Sequence, residues 1–276
     1  MSIITLTTDM GTRDYYVSSI KGSILSQLGE NAVIIDITHQ IDSWNTLQAA
    51  FVLRNAYVDF PKGTIHIIGV DTEASKTRKH VLVVANGHYF IGCDNGVFSL
   101  MFDDMENIDK IVELNINSDT DYKTFPTRDI FVKAACHLAK GGVPEVLGRT
   151  LIEKQLNRLI IGDPVFDTNT QTIIGKIIYI DNYGNAITNI TAEIFKSACM
   201  GRAFNLALRP RSNRSLEGLY NFKRLSESYN EVDLSDLIIL VNNVGLLEIA
   251  MNQGNAQQML DLGPNLQVKF QFENFR

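Results

Sequence analysis

Cysteine is scarce in this 276-residue sequence. Cys93, Cys136 and Cys199 are widely separated, odd in number and at no metal-ligand spacing. That argues against a disulfide framework or a cysteine metal cluster and suits packed, reduced thiols in a cytoplasmic protein. Long apolar runs are also missing. No segment approaches the ~20 residues that span a bilayer, and the opening MSIITLTTDMG is too short and too polar for a signal core. No membrane partner is expected. Positive charge is not in excess: 25 Lys and Arg stand against 31 Asp and Glu, a net charge of −6 that gives no broad field for nucleic acid. There is no glycine-rich dinucleotide loop, phosphate loop or Gly-x-Ser-x-Gly elbow, which lowers phosphoryl and acyl transfer.

With 45% hydrophobic residues the chain can bury a sizeable core in one large or two modest domains. Ile3–Thr7 reads as a strand followed by the polar turn from Thr8 to Thr12. Val17, Ile20, Ile24, Leu25 and Leu28 then recur at helical spacing up to Gly29. The run from Ala32 to Ile37 is a second strand, residues 45–58 a second helix, and 64–70 a third strand. Residues 81–85 and 89–92 form a hairpin pattern across Asn86-Gly87. Residues 131–138 read as a further helix. Strands apolar on both faces, alternating with helices, predict an α/β domain with a mostly parallel sheet over residues 1–162. From 163 to 276 short strands dominate, at 175–180, 204–208, 237–241 and 268–272, and predict a smaller β-barrel domain.

Open α/β sheets bind ligands beyond the carboxyl ends of their strands. Asp9, His39 and Asp71 all fall there. Asp9 could accept both hydroxyls of a ribose, although a turn or capping aspartate explains it equally well. Asp71 and Arg78, seven residues apart, could hold and polarise a small nucleophile such as water, or form an ordinary surface ion pair. His39 has no second His or Cys at metal spacing, so no metal site is expected. His137, on an apolar helical stretch, reads as a packed, hydrogen-bonded side chain. Asp181-Asn182-Tyr183-Gly184-Asn185 is a turn that could also bind an amino-acid zwitterion, and Asn242-Asn243-Val244-Gly245 is a turn of the same kind.

Taken in order, these pieces resemble one family. Thr7-Thr8-Asp9-Met10-Gly11-Thr12-Arg13-Asp14-Tyr15, Ile35-Asp36-Ile37-Thr38-His39, Phe60-Pro61-Lys62-Gly63, Asp94-Asn95-Gly96, Arg128-Asp129-Ile130-Phe131, Asp181-Asn182-Tyr183-Gly184-Asn185 and Asn243-Val244-Gly245-Leu246-Leu247-Glu248 are similar to the S-adenosylmethionine (SAM) hydroxide adenosyltransferases, relatives of fluorinase and chlorinase. The resemblance spans nearly the whole chain. It implies an α/β domain followed by a β-barrel, and a homotrimer with active sites between the N-terminal domain of one subunit and the C-terminal domain of its neighbour. The implied reaction is attack on C5′ of SAM, with SAM as substrate and no cofactor. With water as nucleophile it yields adenosine and methionine. Carried over by position, Asp9 holds the ribose diol and Trp44 packs near the sugar. Asp181, Tyr183 and Asn185 take the methionine end, Asn243 and Glu248 lie on the rim, and Asp71 and Arg78 activate the water.

One position departs from the family. Its hydrolase pattern is Phe-His-Gly-Arg-Asp, whereas this chain reads Phe125-Pro126-Thr127-Arg128-Asp129. Pro126 removes the expected histidine, and Thr127 stands where fluorinase carries a halide-contacting hydroxyl. Three readings follow: a hydrolase in which Thr127 helps place water, a halogenase forming 5′-halo-5′-deoxyadenosine, and a protein that binds SAM or adenosine without turnover.

Overall fold

The computed structural model describes residues 2–102, 107–118, 121, 123–152, 155–212 and 218–273. The chain divides into two compact units, Met1–Ile160 and Ile161–Arg276. Among the described residues no helix is long and apolar enough to cross a membrane.

In the first unit strand β1 (Ser2–Thr8) leads to helix α1 (Tyr16–Leu28), β2 (Ala32–Thr38), α2 (Thr46–Ala56) and β3 (Ile65–Gly69). Helix α1 buries Val17, Ile20, Ile24 and Leu28 and leaves Leu25 exposed, and Gly29 ends it with a positive φ of 57°. Helix α2 starts where Asn45 Oδ1 accepts the Gln48 amide at 3.0 Å. The hairpin β4 (His80–Ala85) and β5 (His88–Cys93) turns through Asn86 and Gly87, both at positive φ (52° and 80°), as a two-residue primed turn requires. Then come α3 (Val97–Met101), β6 (Ile108–Leu114), a π-helical segment Thr127–Phe131 running into α4 (Val132–Ala139), and β7 (Gly148–Thr150).

The strand order is β2-β1-β3-β5-β4-β6-β7. The pairs β1–β2, β1–β3 and β3–β5 are parallel, whereas β5–β4, β4–β6 and β6–β7 are antiparallel. The sheet is therefore mixed, and the expectation of a mostly parallel one holds for only half of it. The tight Asn86-Gly87 turn forces β4 to run antiparallel to β5, and β6 then adds to that edge. Both faces are covered: α1 and α4 pack on Ile4, Leu6, Ile65, Ile67, Leu82 and Ile91, and α2 and α3 on Ile68, Val81, Val83 and Phe90. Burial on two sides is why these strands read as unbroken apolar runs. β1 lies between β2 and β3, with α1 and α2 on opposite faces, so the strand order reverses there, the place at which open α/β sheets bind ligands.

The second unit is built of β8 (Val165–Asp167), β9 (Thr172–Ile180), β10 (Ala186–Thr191), α5 (Ala192–Cys199), β11 (Phe204–Leu208), β12 (Gly218–Phe222), β13 (Leu237–Val241), β14 (Leu246–Met251), α6 (Ala256–Leu260) and β15 (Gln267–Phe272). Its sheet, β12-β11-β15-β9-β10-β14-β13 with β8 on β9, is antiparallel throughout. Strand β9 changes partner midway. Thr172–Lys176 pair with β15 and Ile177–Ile180 with β10, so the sheet curls over a core of Phe195, Phe204, Phe270 and Phe272. The expected barrel is thus a curled sheet. Among the described residues its outer strands share no ladder, and the chain after β12 meets β13 through an isolated bridge, Ser226 to Leu240.

Candidate active site

The carboxyl ends of β1 and β3 collect most of the first unit's candidate side chains. Asp9 follows β1 directly. Its Oδ2 accepts the backbone N–H of Trp44 at 2.9 Å, and Trp44 has a left-handed φ of 62° with its side chain 73% exposed. The carboxylate therefore fixes an unusual backbone conformation that projects an indole outward. His39 is buried between Thr8 Oγ1, 2.8 Å from its Nδ1, and Asp36 Oδ1, 3.1 Å from its Nε2. The Thr8 contact ties the end of β2 to β1, whereas Nε2, although close to Asp36, is buried without a hydrogen-bond partner in the protein.

Asp71 and Arg78 are in contact. Arg78 Nη2 lies 2.7 Å from Asp71 Oδ2, and both side chains are about one-third exposed or less. Burial works against the guanidinium charge, but the Asp71 hydrogen bond, together with the interactions with Cys93 and the Asp71 charge, outweighs it and holds Arg78 above its usual value. Cys93, beside Arg78, is pushed up to about 11 by burial, so it is an inert thiol.

Thr127 opens the π-helical segment and is fully buried. A β-carbon added at Gly69 would lie 3.2 Å from Thr127 Oγ1, 3.1 Å from its Cγ2 and 3.0 Å from Thr8 Cγ2. Thr127 therefore packs over the paired ends of β1 and β3, a contact for which glycine at 69 leaves room. Thr127 Oγ1 and Arg78 Nε are both buried and have no hydrogen-bond partner in the protein. Such groups cost about 1–3 kcal/mol each unless water or a ligand completes them. Pro126, with φ −59°, serves as a helix-start residue. Next to Thr127, Arg128 Nε lies 2.6 Å from Asp129 Oδ1. His137, in the last turn of α4, has its Nε2 3.1 Å from the Val143 carbonyl.

In the second unit the Asp181 turn is largely self-satisfied. Asp181 Oδ1 accepts the amides of Tyr183 (2.9 Å) and Asn185 (2.8 Å), and Oδ2 accepts Asn185 Nδ2 at 2.9 Å. This organises the turn and leaves Tyr183 75% exposed. At the β13–β14 turn, Asn242 rather than Asn243 supplies the turn's side-chain hydrogen bonds, accepting Val244 N (3.1 Å) and Leu246 N (3.0 Å). Glu248, on β14 opposite Ile187, is only 3% exposed and accepts the Tyr229 hydroxyl at 2.7 Å. Burial, reinforced by the nearby Asp181 charge, raises the Glu248 carboxyl above its usual range. No sequence signal marked Gly69 or Tyr229, because each acts through a neighbour distant in the chain. Among the described residues no group of three or more His, Cys, Asp or Glu is placed to hold a metal ion.

Residues 4–148 match the family model for the SAM hydroxide adenosyltransferase N-terminal domain, and residues 175–269 that for the C-terminal domain. Among curated proteins the chain is 28% identical to an (R)-S-adenosyl-L-methionine hydrolase of Methanocaldococcus jannaschii, covering 95% of this chain and 93% of that protein. It is 25% identical to one of Salinispora arenicola, covering 96% of each. A fluorinase of Actinopolyspora mzabensis is 22% identical, covering 97% of this chain and 96% of the fluorinase. Among solved structures, a conserved protein from Thermotoga maritima superimposes with a TM-score of 0.83 at 28% identity, covering 97% and 99% of the two chains.

Proposed function

The chain belongs to the SAM hydroxide adenosyltransferase family, and from that premise we propose that it hydrolyses SAM to adenosine and L-methionine. The observation that carries this reading is the grouping of Asp9, the Asp71–Arg78 pair and the unpartnered Thr127 hydroxyl at the ends of β1 and β3. In this reading Asp9 receives the ribose hydroxyls and Trp44 packs near the sugar. Water sits by Thr127 Oγ1 and the Asp71 carboxylate, in line with the C5′–S bond. Its oxygen bonds to C5′ as the C5′–S electron pair leaves with the methionine sulfur. The water proton passes to Asp71 and then to solvent.

The leaving group is a sulfonium that departs as a neutral thioether, so it needs no acid. Charge spreads out in the transition state, and a pocket that excludes water favours that state over a solvated ground state. Alignment of the nucleophile can supply several kcal/mol of the up to ~7–11 available from positioning. The oxygen that attacks becomes a strongly acidic oxonium, for which a carboxylate is base enough. That is how the chain can dispense with a histidine at Pro126. Asp181, Tyr183 and Asn185 would receive the methionine end, with Asn243 and Glu248 on the rim, all contributed by a neighbouring subunit of a homotrimer.

The test is to incubate the purified chain with SAM, with and without chloride or fluoride, and to separate the products. Adenosine with methionine is the expected result. A halogenated nucleoside would place halide at Thr127 instead, and intact SAM with saturable binding would reduce the protein to a binder. The trimer is tested by its mass in solution and by mixing a Thr127 variant with an Asp181 variant. Recovered activity on co-assembly is expected if sites are shared between subunits.

A further inference from the structure

Three consecutive main-chain carbonyls, those of Val70, Asp71 and Thr72, are each held by a side-chain donor from farther along the chain. Asn95 Nδ2 donates to Val70 O and Asp71 O, both at 3.1 Å. Arg78 Nη2 donates to Asp71 O at 2.7 Å, and His80 Nε2 lies 2.8 Å from Thr72 O. The segment has left the sheet at Gly69, so no ladder partner supplies these bonds. They enforce a conformation the backbone does not favour alone, since Asp71 has φ 46°, in the left-handed region that non-glycine residues rarely adopt.

The two donors outside the ion pair are themselves anchored. Asn95 Oδ1 accepts the Val97 amide at 3.1 Å, at the start of α3. His80 stands on β4 with its ring edge-on to Phe131, 5.0 Å between centroids. Phe131 is fully buried at the end of the π-helical segment that begins with Thr127. The His80 ring therefore touches both the Asp71 turn and the helix that carries Thr127. Burial lowers the His80 imidazole below its ordinary range despite the Thr72 carbonyl, so near neutral pH the ring is uncharged and its single proton sits on Nε2.

We propose that Asn95 and His80 are positioning residues that clamp the Asp71 turn and so aim its carboxylate at Arg78 and the attacking water. The inference rests on the role given above to Asp71 and Arg78. Were the carbonyls released, Asp71 would relax toward negative φ and carry its carboxylate away. A displacement of about 1 Å at a reacting group can cost on the order of 100-fold in rate.

The test uses the full chain with Asn95→Asp, which keeps the acceptor for Val97 but loses the donor, and His80→Leu. His80→Gln retains a donor for Thr72 O, and Asn95→Ser stands in should Asn95→Asp fail to fold. Hydrogen exchange of peptides covering residues 70–78 is measured alongside kcat and KM for adenosine formation. In Asn95→Asp and His80→Leu, exchange over 70–78 should accelerate roughly tenfold while β1 is unchanged. There kcat should drop on the order of 10- to 100-fold with KM steady within about twofold, and His80→Gln should keep most of the wild-type rate. Wild-type exchange in both disrupting variants overturns the clamp, as does faster exchange with unchanged kcat. A wild-type chain that makes no adenosine refutes the hydrolase reading alone, because the exchange rates still decide whether the clamp exists.

Discussion

A single nitrogen of Arg78 holds Asp71 at two points: Nη2 lies 2.7 Å from the carboxylate Oδ2 and 2.7 Å from the Asp71 main-chain oxygen. An exposed ion pair between flexible side chains contributes ~0–1 kcal/mol. Here the guanidinium also holds the backbone of the residue it neutralises, so the pair ties carboxylate and turn together.

Arg78→Ala removes both bonds. Turnover should fall roughly 100-fold, since the carboxylate loses its neutralising partner and its aim. Chromatographic quantitation of adenosine under saturating SAM checks this, and an unchanged rate would remove Arg78 from the scheme.

Thr127→Val keeps the side chain's shape and deletes a buried hydroxyl that has no protein partner. Replacing such a group by an apolar one of equal size is close to neutral or stabilising. The thermal midpoint should therefore hold or rise while turnover falls about tenfold. A clear loss of stability with full activity would make the hydroxyl structural.

For Asp9→Ala, calorimetry should show SAM binding weakened roughly 10- to 100-fold, in keeping with about 1.5–3 kcal/mol for a hydrogen bond to a charged group. Asp9→Asn should lie between, because its side-chain oxygen still accepts the Trp44 amide. Unchanged affinity in Asp9→Ala would exclude the ribose role.

A buried histidine pair sets an acid limit. His66 is fully buried on β3, its Nδ1 2.7 Å from Thr5 Oγ1 and its Nε2 3.2 Å from His88 Nδ1. Burial, with the neighbouring His88 charge, pushes it down to about 3. The unfolded chain, with an ordinary imidazole near 6.5, binds this proton before the folded one does. Stability from this group is thus complete above about pH 6.5 and is lost as pH falls from there toward about 3. Thermal midpoints should decline over that window in the wild type, and less steeply in His66→Gln.

Much of the first unit follows from local sequence. The apolar runs gave β1, β2 and β3, the 3-4 spacing gave α1, and Asn86-Gly87 gave the β4–β5 hairpin with both turn residues at positive φ. Strand-end positions single out Asp9, His39 and Asp71, and the ordered motifs carry the family. Other features depended on partners far away in the chain. The antiparallel half of the sheet exists because β6 adds to the edge β4 presents, and pairing of that kind leaves no local pattern. Whether the Asp181 carboxylate serves a turn or a ligand was open in the sequence, and the fold spends three of its hydrogen bonds within the turn. The left-handed Asp71, its double hold by Arg78 and the unpartnered Thr127 hydroxyl over Gly69 come from tertiary packing alone. Residue types and spacing can name the groups a reaction needs, but the distances that let them act arise only when strand ends, turn and helix meet.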